Sequence, residues 1–127
     1  MPATNFLDYS KAVRELLDTL LAAGQAERIS FEIDPRSNLR GLIRGTVQFG
    51  DGSELHLREF VDVTLAEPKL MYAYHYQDRE KKLLLRYDNA AHRPELSQIE
   101  HKHTQDGVSA SSVPTLAQVI DEILRIK

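Results

Sequence analysis

Apolar residues on alternate positions between residues 29 and 65 constrain the fold of this chain more than any other feature of its sequence. Alternation of this kind is typical of strands that bury one face. Turn residues divide the segment: Asp34-Pro35 ends the first run, and Gly50-Asp51-Gly52, a strong hairpin signal, ends the second. The sequence therefore predicts three antiparallel strands in chain order, and Gly41 and Gly45 predict a bend or bulge in the second strand.

Further strands extend the predicted sheet beyond this segment. Residues 70–77 and 83–88 predict a hairpin, because apolar and aromatic residues flank a short polar turn. Residues 97–103 predict a short sixth strand. Residues 89–96 and 104–112 are polar and carry turn residues, so they are predicted loops.

Two helices are predicted at the ends of the chain. Apolar residues at three- and four-residue spacing indicate a helix over residues 8–23, which Asp8 or Ser10 caps and Gly24 ends. A second helix begins at Pro114, which suits a first helical turn. The predicted fold is α+β: a single domain over residues 1–127, with an antiparallel five- to six-stranded meander sheet and an N-terminal and a C-terminal helix packed on one face.

The predicted hairpin fixes which of its side chains share a face. An even loop centred on residues 80–81 places His75 opposite Arg86 and Tyr74 opposite Tyr87. The tyrosines then lie on one face, and the other face carries polar side chains, among them His75, Gln77, Arg86 and Asp88. The tyrosine face has two interpretations, a buried core or a platform on which unpaired bases stack.

Composition limits the classes of function that the chain can have. It contains no cysteine, which excludes disulfides, thiolate metal sites and cysteine nucleophiles. A formal net charge of -3 argues against a strongly basic nucleic-acid binder. The N-terminal residues do not form a signal peptide, and no apolar run is long enough to span a membrane. We therefore expect a soluble, cytoplasmic protein with no membrane partner.

Positive charge and histidine are concentrated in one part of the chain. Residues 68–103 hold seven basic against five acidic side chains, together with four of the five histidines. This excess of positive charge suits an anionic ligand. The remaining histidine, His56, is predicted to face solvent from the third strand, and no role is assigned to it.

His101 and His103 are separated by one residue, so in a strand their side chains point to the same face. Two neutral imidazoles can bind zinc or a similar metal, with Asp88 or His92 as a further ligand. A histidine pair can instead donate and accept protons in catalysis without a metal. Surface histidines without chemistry are the third interpretation, and the spacing alone does not choose among them.

Four stretches carry a resemblance to a known family. They are Y-A-Y-H-Y-Q-D (72–78), R-Y-D-N-A-A-H-R-P (86–94), H-K-H (101–103) and V-P-T-L-A-Q-V-I-D-E-I (113–123). Together they resemble the TumE-type proteins of bacterial and archaeal toxin–antitoxin systems, whereas the first half of the chain is similar only in its pattern of helix and strands. The resemblance implies a small cytosolic toxin-like protein with a cognate antitoxin that binds and neutralises it, and it carries no catalytic roles. The family's motif residues map onto Tyr74, His75, Tyr76, Gln77, Arg86, Tyr87, Asp88, Asn89, His92, His101, Lys102 and His103.

The first functional hypothesis is a toxin-like component of a toxin–antitoxin system that acts on RNA as a metal-independent endoribonuclease, with no cofactor. Cleavage by attack of a 2′-hydroxyl needs a base, an acid and positive charge near the phosphate. The predicted acid and base are His101 and His103, with His92 or Asp88 orienting one of them. The predicted phosphate and nucleic-acid contacts are Arg86, Lys102, His75, Gln77, Tyr74 and Tyr76.

Two alternatives stay open. The chain can be a non-catalytic binding module for an antitoxin or a nucleic acid, or a metal-dependent nuclease or phosphotransferase that uses the histidines and Asp88. The sequence has no Gly-rich phosphate loop, dinucleotide fingerprint or serine nucleophile elbow. An exposed sheet edge would allow a homodimer.

Overall fold

A computed structural model describes residues 4–89, 101–104, 107–110 and 112–127, with the backbone alone at residues 101 and 107–110. In chain order its elements are α1 (Phe6–Ala22), β1 (Ala26–Pro35), β2 (Arg40–Phe49), β3 (Glu54–Asp62), β4 (Lys69–Gln77), β5 (Leu83–Asp88), β6 (His101–Thr104), β7 (Gly107–Ala110) and α2 (Leu116–Ile126). The strands form one antiparallel sheet in chain order, with β1 and β7 at its edges.

Both helices pack on the same face of the sheet, where alternate side chains of the strands form the core. α1 lies against β1 and β2, and α2 lies against β4. Their apolar stripes, at helical spacing, join the inward strand residues in one hydrophobic cluster. The central strands contribute Ile43, Val47, Leu55, Leu57, Val61, Tyr72, Tyr74, Tyr76, Leu85 and Tyr87. The predicted α+β meander with both helices on one face is confirmed.

The register predicted for the hairpin of β4 and β5 is also confirmed. His75 lies opposite Arg86, and Tyr74 lies opposite Tyr87. Tyr74 and Tyr76 are 1% and 2% exposed, because their rings lie under the helices. The core interpretation of the tyrosine face is therefore correct, and these two rings have no free surface on which a base can stack.

Two local predictions about element ends were wrong. α1 is capped by Asn5, whose side chain accepts a hydrogen bond from the Asp8 backbone N–H at 2.8 Å, rather than by Asp8 or Ser10. α2 is capped by Thr115, so Pro114 precedes the helix instead of lying in its first turn. The predicted loop over residues 104–112 was also wrong in part, because β7 lies within it. This strand forms by backbone pairing with β6, and its sequence has no alternation of apolar residues that would have predicted it.

Gly41 makes room for the first residue of α1. A Cβ atom at this position would lie 2.4 Å from Cζ of Phe6, so the ring can lie on the strand only because glycine has no side chain. The pairing of β2 with β3 is continuous through Gly41 and Gly45. The predicted bulge is therefore absent from β2, and close packing explains the glycine at position 41.

A buried carboxylate links α1, β3 and β4 inside the core. Glu59 is 1% exposed, and it accepts hydrogen bonds from the hydroxyls of Tyr9 at 2.6 Å and Tyr74 at 2.5 Å. Lys69 Nζ donates to the Tyr74 hydroxyl at 3.0 Å and to the carbonyl oxygen of Pro114, just before α2. This Glu59 cluster (Tyr9, Glu59, Lys69 and Tyr74) thus connects both helices to the centre of the sheet.

Burial sets the protonation of the Glu59 cluster. Burial and then the Glu59 carboxylate raise the pKa of both Tyr9 and Tyr74 well above the usual range, so each hydroxyl keeps the proton that it donates. Burial lowers the pKa of Lys69, and the carboxylates of Glu59 and Glu67 oppose that change. A buried charge is tolerated when hydrogen bonds and an opposite charge compensate for lost water, and the cluster supplies both.

Replacing Glu59 with alanine would leave two buried hydroxyls without their acceptor and Lys69 without its nearest buried counter-charge. We expect the free energy of unfolding to fall by about 3–5 kcal/mol, the usual cost of breaking a buried charge network. Urea denaturation would measure the change. The matched control is Glu80→Ala in the exposed β4–β5 turn, for which about 0.5 kcal/mol or less is expected. Equal effects of the two substitutions would contradict a stabilising role for the cluster.

Candidate functional site

The face of the sheet opposite the helices carries a concentration of cationic and imidazole side chains. We call it the helix-free face, and its polar side chains near the centre of the sheet are Arg44, Thr46, His56, Arg58, His75, Arg86 and His103. They share this face because side chains alternate along each strand and because the strand registers bring equivalent positions together.

One row of the helix-free face crosses five consecutive strands. The register places Thr46 opposite His56, His56 opposite His75, His75 opposite Arg86, and Arg86 opposite His103. Neighbouring strands lie about 4.8 Å apart, so two steps along the row separate backbones by about 10 Å. Arg86 therefore has an imidazole on each side, His75 from β4 and His103 from β6.

A shallow depression of about 420 Å³ opens beside this row. Ala73 leaves part of the space, since it shares the face of His75 and its methyl group is too small to fill the depression. The residues around the depression are Arg44, Gly45, Thr46, His56, Leu57, Arg58, Ala73, His75 and Arg86, and none of them is acidic. Three guanidinium groups around a concave, carboxylate-free surface are suited to an anion, and planar guanidinium groups bind phosphate with two parallel hydrogen bonds.

Arg44 and Arg58 lie directly opposite each other in the pairing of β2 with β3. Like charges at directly opposed positions of a sheet are destabilising. Glu32 lies opposite Arg44 on the other side, in β1, but among the described residues no carboxylate comes within 4.0 Å of either arginine. Both side chains are exposed, and their charges remain available to an anion from solution.

A directed chain of hydrogen bonds fixes the tautomer of His75. Arg86 Nη1 lies 3.2 Å from His75 Nδ1, and since a guanidinium only donates, Nδ1 is the acceptor. The proton of neutral His75 is then on Nε2, which lies 3.1 Å from Gln77 Oε1. Gln77 Nε2 donates to Glu54 Oε1 at 3.4 Å, and His56 Nε2 lies 3.5 Å from the same oxygen. Gln77 thus orients His75 and links it to Glu54.

The charge state of His75 follows from its surroundings. Burial, and then the positive charge of Arg86, lower the pKa of His75, and the hydrogen bond to Gln77 only partly opposes them. His75 is therefore neutral at physiological pH. A neutral imidazole is able to accept a proton.

Asp88 contacts Arg86 and His103 at the other end of the row. It is 1% exposed, and Arg86 Nε donates to its Oδ2 at 2.8 Å. His103 Nε2 lies 3.2 Å from the same oxygen. A buried carboxylate that contacts a histidine and an arginine holds both in place, as in the base-and-orienting-group arrangement of many active sites.

Several of the predicted site residues do not lie on the helix-free face. Lys102 precedes His103 in β6, so its side chain points to the core face, where Nζ donates to Glu122 of α2 at 2.8 Å and this bond raises its pKa. The predicted phosphate contact of Lys102 was therefore wrong. Tyr74 and Tyr76 are in the core, as described above, and base stacking on them was equally wrong.

Two predicted histidines cannot be placed by their side chains. His92 lies outside the described residues. The backbone of His101 is described and lies opposite Asp88 in the pairing of β5 with β6. Their catalytic roles stay predictions.

The sequence analysis missed Arg44 and Arg58 and gave His56 no role. The signal was available, because the Gly50-Asp51-Gly52 hairpin allows the same register argument that placed His75 opposite Arg86. The net charge of the segment did not indicate these arginines, because they lie in a part of the chain that is rich in acidic residues.

Within the described residues, no group of three or more His, Asp or Glu side chains is arranged to hold a metal ion. Neither described helix has the length and apolar character needed to cross a bilayer.

Replacing Arg58 with glutamine would remove the repulsion with Arg44 and one cation of the depression. We expect the unliganded protein to gain about 0.2–1 kcal/mol of stability, and the rise in melting temperature on adding sodium phosphate to shrink. Thermal unfolding with and without phosphate measures both effects. The matched control is Arg28→Gln, an exposed arginine on the same face outside the depression. An unchanged phosphate response in Arg58→Gln would contradict an anion site there.

The lowered pKa of His75 predicts a pH dependence of stability. The unfolded chain binds a proton at this residue near pH 6.5, whereas the folded chain binds it only at lower pH. Stability from neutral His75 is therefore present above about pH 6.5 and is lost as pH falls through the folded pKa. We expect His75→Gln to flatten this decline below about pH 6.5, as measured by urea denaturation at successive pH values below neutrality. A parent-like slope in the variant would contradict the assignment.

Comparison with known proteins gives one family match. The family described as Toxin TumE matches residues 16–126, which is most of the chain. No curated protein and no solved structure gives a match. The matched range includes every strand of the helix-free face and both partners of the His103–Asp88 contact.

Proposed function

On the premise that this chain belongs to the TumE toxin family and is the toxin component of a toxin–antitoxin system, we propose that it cleaves RNA as a metal-independent endoribonuclease. The observation that carries the proposal is the placement of Arg86 between two imidazoles, His75 and His103, at the edge of a depression with three arginines. An antitoxin is the protein partner that the family suggests.

Phosphate binding is the first part of the proposed mechanism. A phosphodiester in the depression accepts hydrogen bonds from Arg44, Arg58 and Arg86. Arg86 has five N–H donors, and the bonds to Asp88 and His75 use only two of them. The guanidinium groups stabilise the extra negative charge that develops on the phosphorus oxygens during attack.

Proton transfer is the second part. His75 Nδ1 accepts from Arg86 in the free protein, and a bound phosphate competes for that guanidinium, which frees the Nδ1 lone pair. Nδ1 then takes the proton of the 2′-hydroxyl as the 2′-oxygen attacks phosphorus. The 5′-oxygen leaves with a proton from His103, which Asp88 orients. The products are a 2′,3′-cyclic phosphate and a 5′-hydroxyl, with no metal or cofactor consumed.

The base in this proposal is His75, whereas the sequence predicted His101 and His103 as the acid and the base. The reason is geometric, since His75 and His103 flank Arg86 one strand away on either side. His101 and His92 remain candidates from the sequence, and Lys102, Tyr74 and Tyr76 have no part in the proposal.

A metal-independent ribonuclease of this kind should lose activity at either histidine. We expect His75→Gln and His103→Gln each to lower RNA cleavage by about 100-fold or more and to abolish growth arrest on induced expression. The matched control is Lys102→Gln, because Lys102 is adjacent to His103 but points to the opposite face. Cleavage is measured on single-stranded RNA with folding checked by circular dichroism.

Three outcomes would contradict this proposal in different ways. Growth arrest by His103→Gln equal to that of the parent would place the activity elsewhere. Cleavage that a chelator abolishes and one metal restores would favour the metal-dependent nuclease. RNA binding without any cleavage, in a parent that arrests growth, would favour the non-catalytic binding module.

A further inference from the structure

A row of apolar side chains lies next to the arginines on the helix-free face. The register places Leu42 opposite Phe60, and Phe60 opposite Met71. We call these three residues the apolar shelf. Phe60 and Arg58 are two residues apart in β3, so their side chains leave the same face about 7 Å from each other.

The apolar shelf is not part of the protein core. Met71 is 57% exposed, and Leu42 and Phe60 are only half-buried. The half-buried apolar residues that pack against the core are Tyr9, Leu16, Ile29, Phe31, Val63, Leu84, Val113 and Leu124, and neither Leu42 nor Phe60 is among them. Core packing therefore does not explain an aromatic ring at position 60.

A β-bulge in β4 lies beside the shelf. The pairing of β3 with β4 shifts between Phe60 and Val61, which leaves one extra residue in β4 next to Met71. Asn89 braces this bulge, because its side chain accepts from the Tyr72 backbone N–H at 3.0 Å and donates to the Leu70 carbonyl oxygen at 2.9 Å. Bulges of this kind re-aim side chains and are common beside functional sites.

We propose that the apolar shelf binds an unpaired nucleobase whose phosphate lies on Arg44 and Arg58. Charge complementarity selects this occupant, since the shelf adjoins two exposed arginines that have no carboxylate within ion-pair distance among the described residues. A base stacks on Phe60, and every base has a face that can do so. Phe60 and Arg58 leave the same face about 7 Å apart, so one nucleotide can place its base on the ring and its phosphate on the guanidinium group.

This inference rests on the proposed function and narrows its substrate to single-stranded RNA. In a duplex the faces of the bases are stacked on one another and cannot reach the shelf, whereas an unpaired nucleotide offers its base and its phosphate together. The helix-free face then binds RNA by two separable contacts, one apolar and one ionic.

The test compares binding of three oligonucleotides to the intact protein by fluorescence anisotropy. They are a single-stranded 2′-O-methyl RNA, the same strand with one internal abasic position, and its duplex. The 2′-O-methyl groups prevent attack on phosphorus, so binding is measured without cleavage. We expect the duplex and the best-placed abasic strand to bind about 5- to 100-fold more weakly than the single strand, as for loss of one stacked base.

Substitutions in the shelf test whether the base of the bound strand stacks there. We expect Phe60→Leu, which keeps an apolar side chain, and Met71→Gln to weaken binding of the complete strand and to leave binding of the abasic strand nearly unchanged. Neither should change the salt dependence of binding, whereas Arg58→Gln should lower its logarithmic slope by about 0.7. The matched control is Leu7→Ala, which alters an equally exposed apolar residue on α1.

The outcomes separate failure of the shelf from failure of the proposed function. Equal binding of complete and abasic strands at every abasic position, or parent-like binding by both shelf variants, would overturn the shelf and leave RNA cleavage standing. No binding of any strand by the folded parent would overturn both. A shelf variant that loses only antitoxin binding would show that the shelf docks a protein, which also overturns the inference.

Discussion

In-register pairing between consecutive antiparallel strands is the constraint on which the rest of this structure depends. The irregularities in pairing lie near strand ends, at Ala26/Arg28, Phe60/Val61 and Tyr76/Gln77. The row from Thr46 to His103 is therefore continuous, and a shift of one residue in any strand would exchange its core and solvent faces. Separation of an apolar and tyrosine-rich core from a cationic face follows directly from this register.

The distribution of charge explains how an acidic chain can present a basic surface. Glu59 and Asp88 are nearly inaccessible to solvent, and hydrogen bonds occupy both carboxylates. Glu122 is occupied by Lys102 and Tyr87 on the core face. Arg44 and Arg58, in contrast, are exposed and have no described ion-pair partner. Net charge therefore describes the whole chain but not the potential at the depression, because none of the residues that line the depression is acidic.

Sequence alone predicted most of the architecture and the register of one hairpin, because alternation and a short turn determine both. It predicted that His75, Arg86 and Asp88 share one face for the same reason, whereas the place of His103 opposite Arg86 came only from the structure. It grouped Lys102 with His101 and His103 because the three are adjacent in the chain, whereas alternation in β6 points Lys102 to the opposite face. It missed Arg44 and Arg58 because their proximity to Arg86 depends on three successive strand pairings for Arg44 and two for Arg58. The Glu59 cluster was also beyond the sequence, because its members come from α1, β3 and β4 and meet only through packing.

The meander order has a consequence for how the protein is made. Synthesis on the ribosome releases the strands in the order in which they pair, so each can add to an edge that is already present. The depression is lined from β2, β3, β4 and β5, but His103 arrives only with β6, and the carbonyl oxygen that Lys69 binds comes from residue 114. The strands that line the depression are thus made before the row of imidazoles is complete.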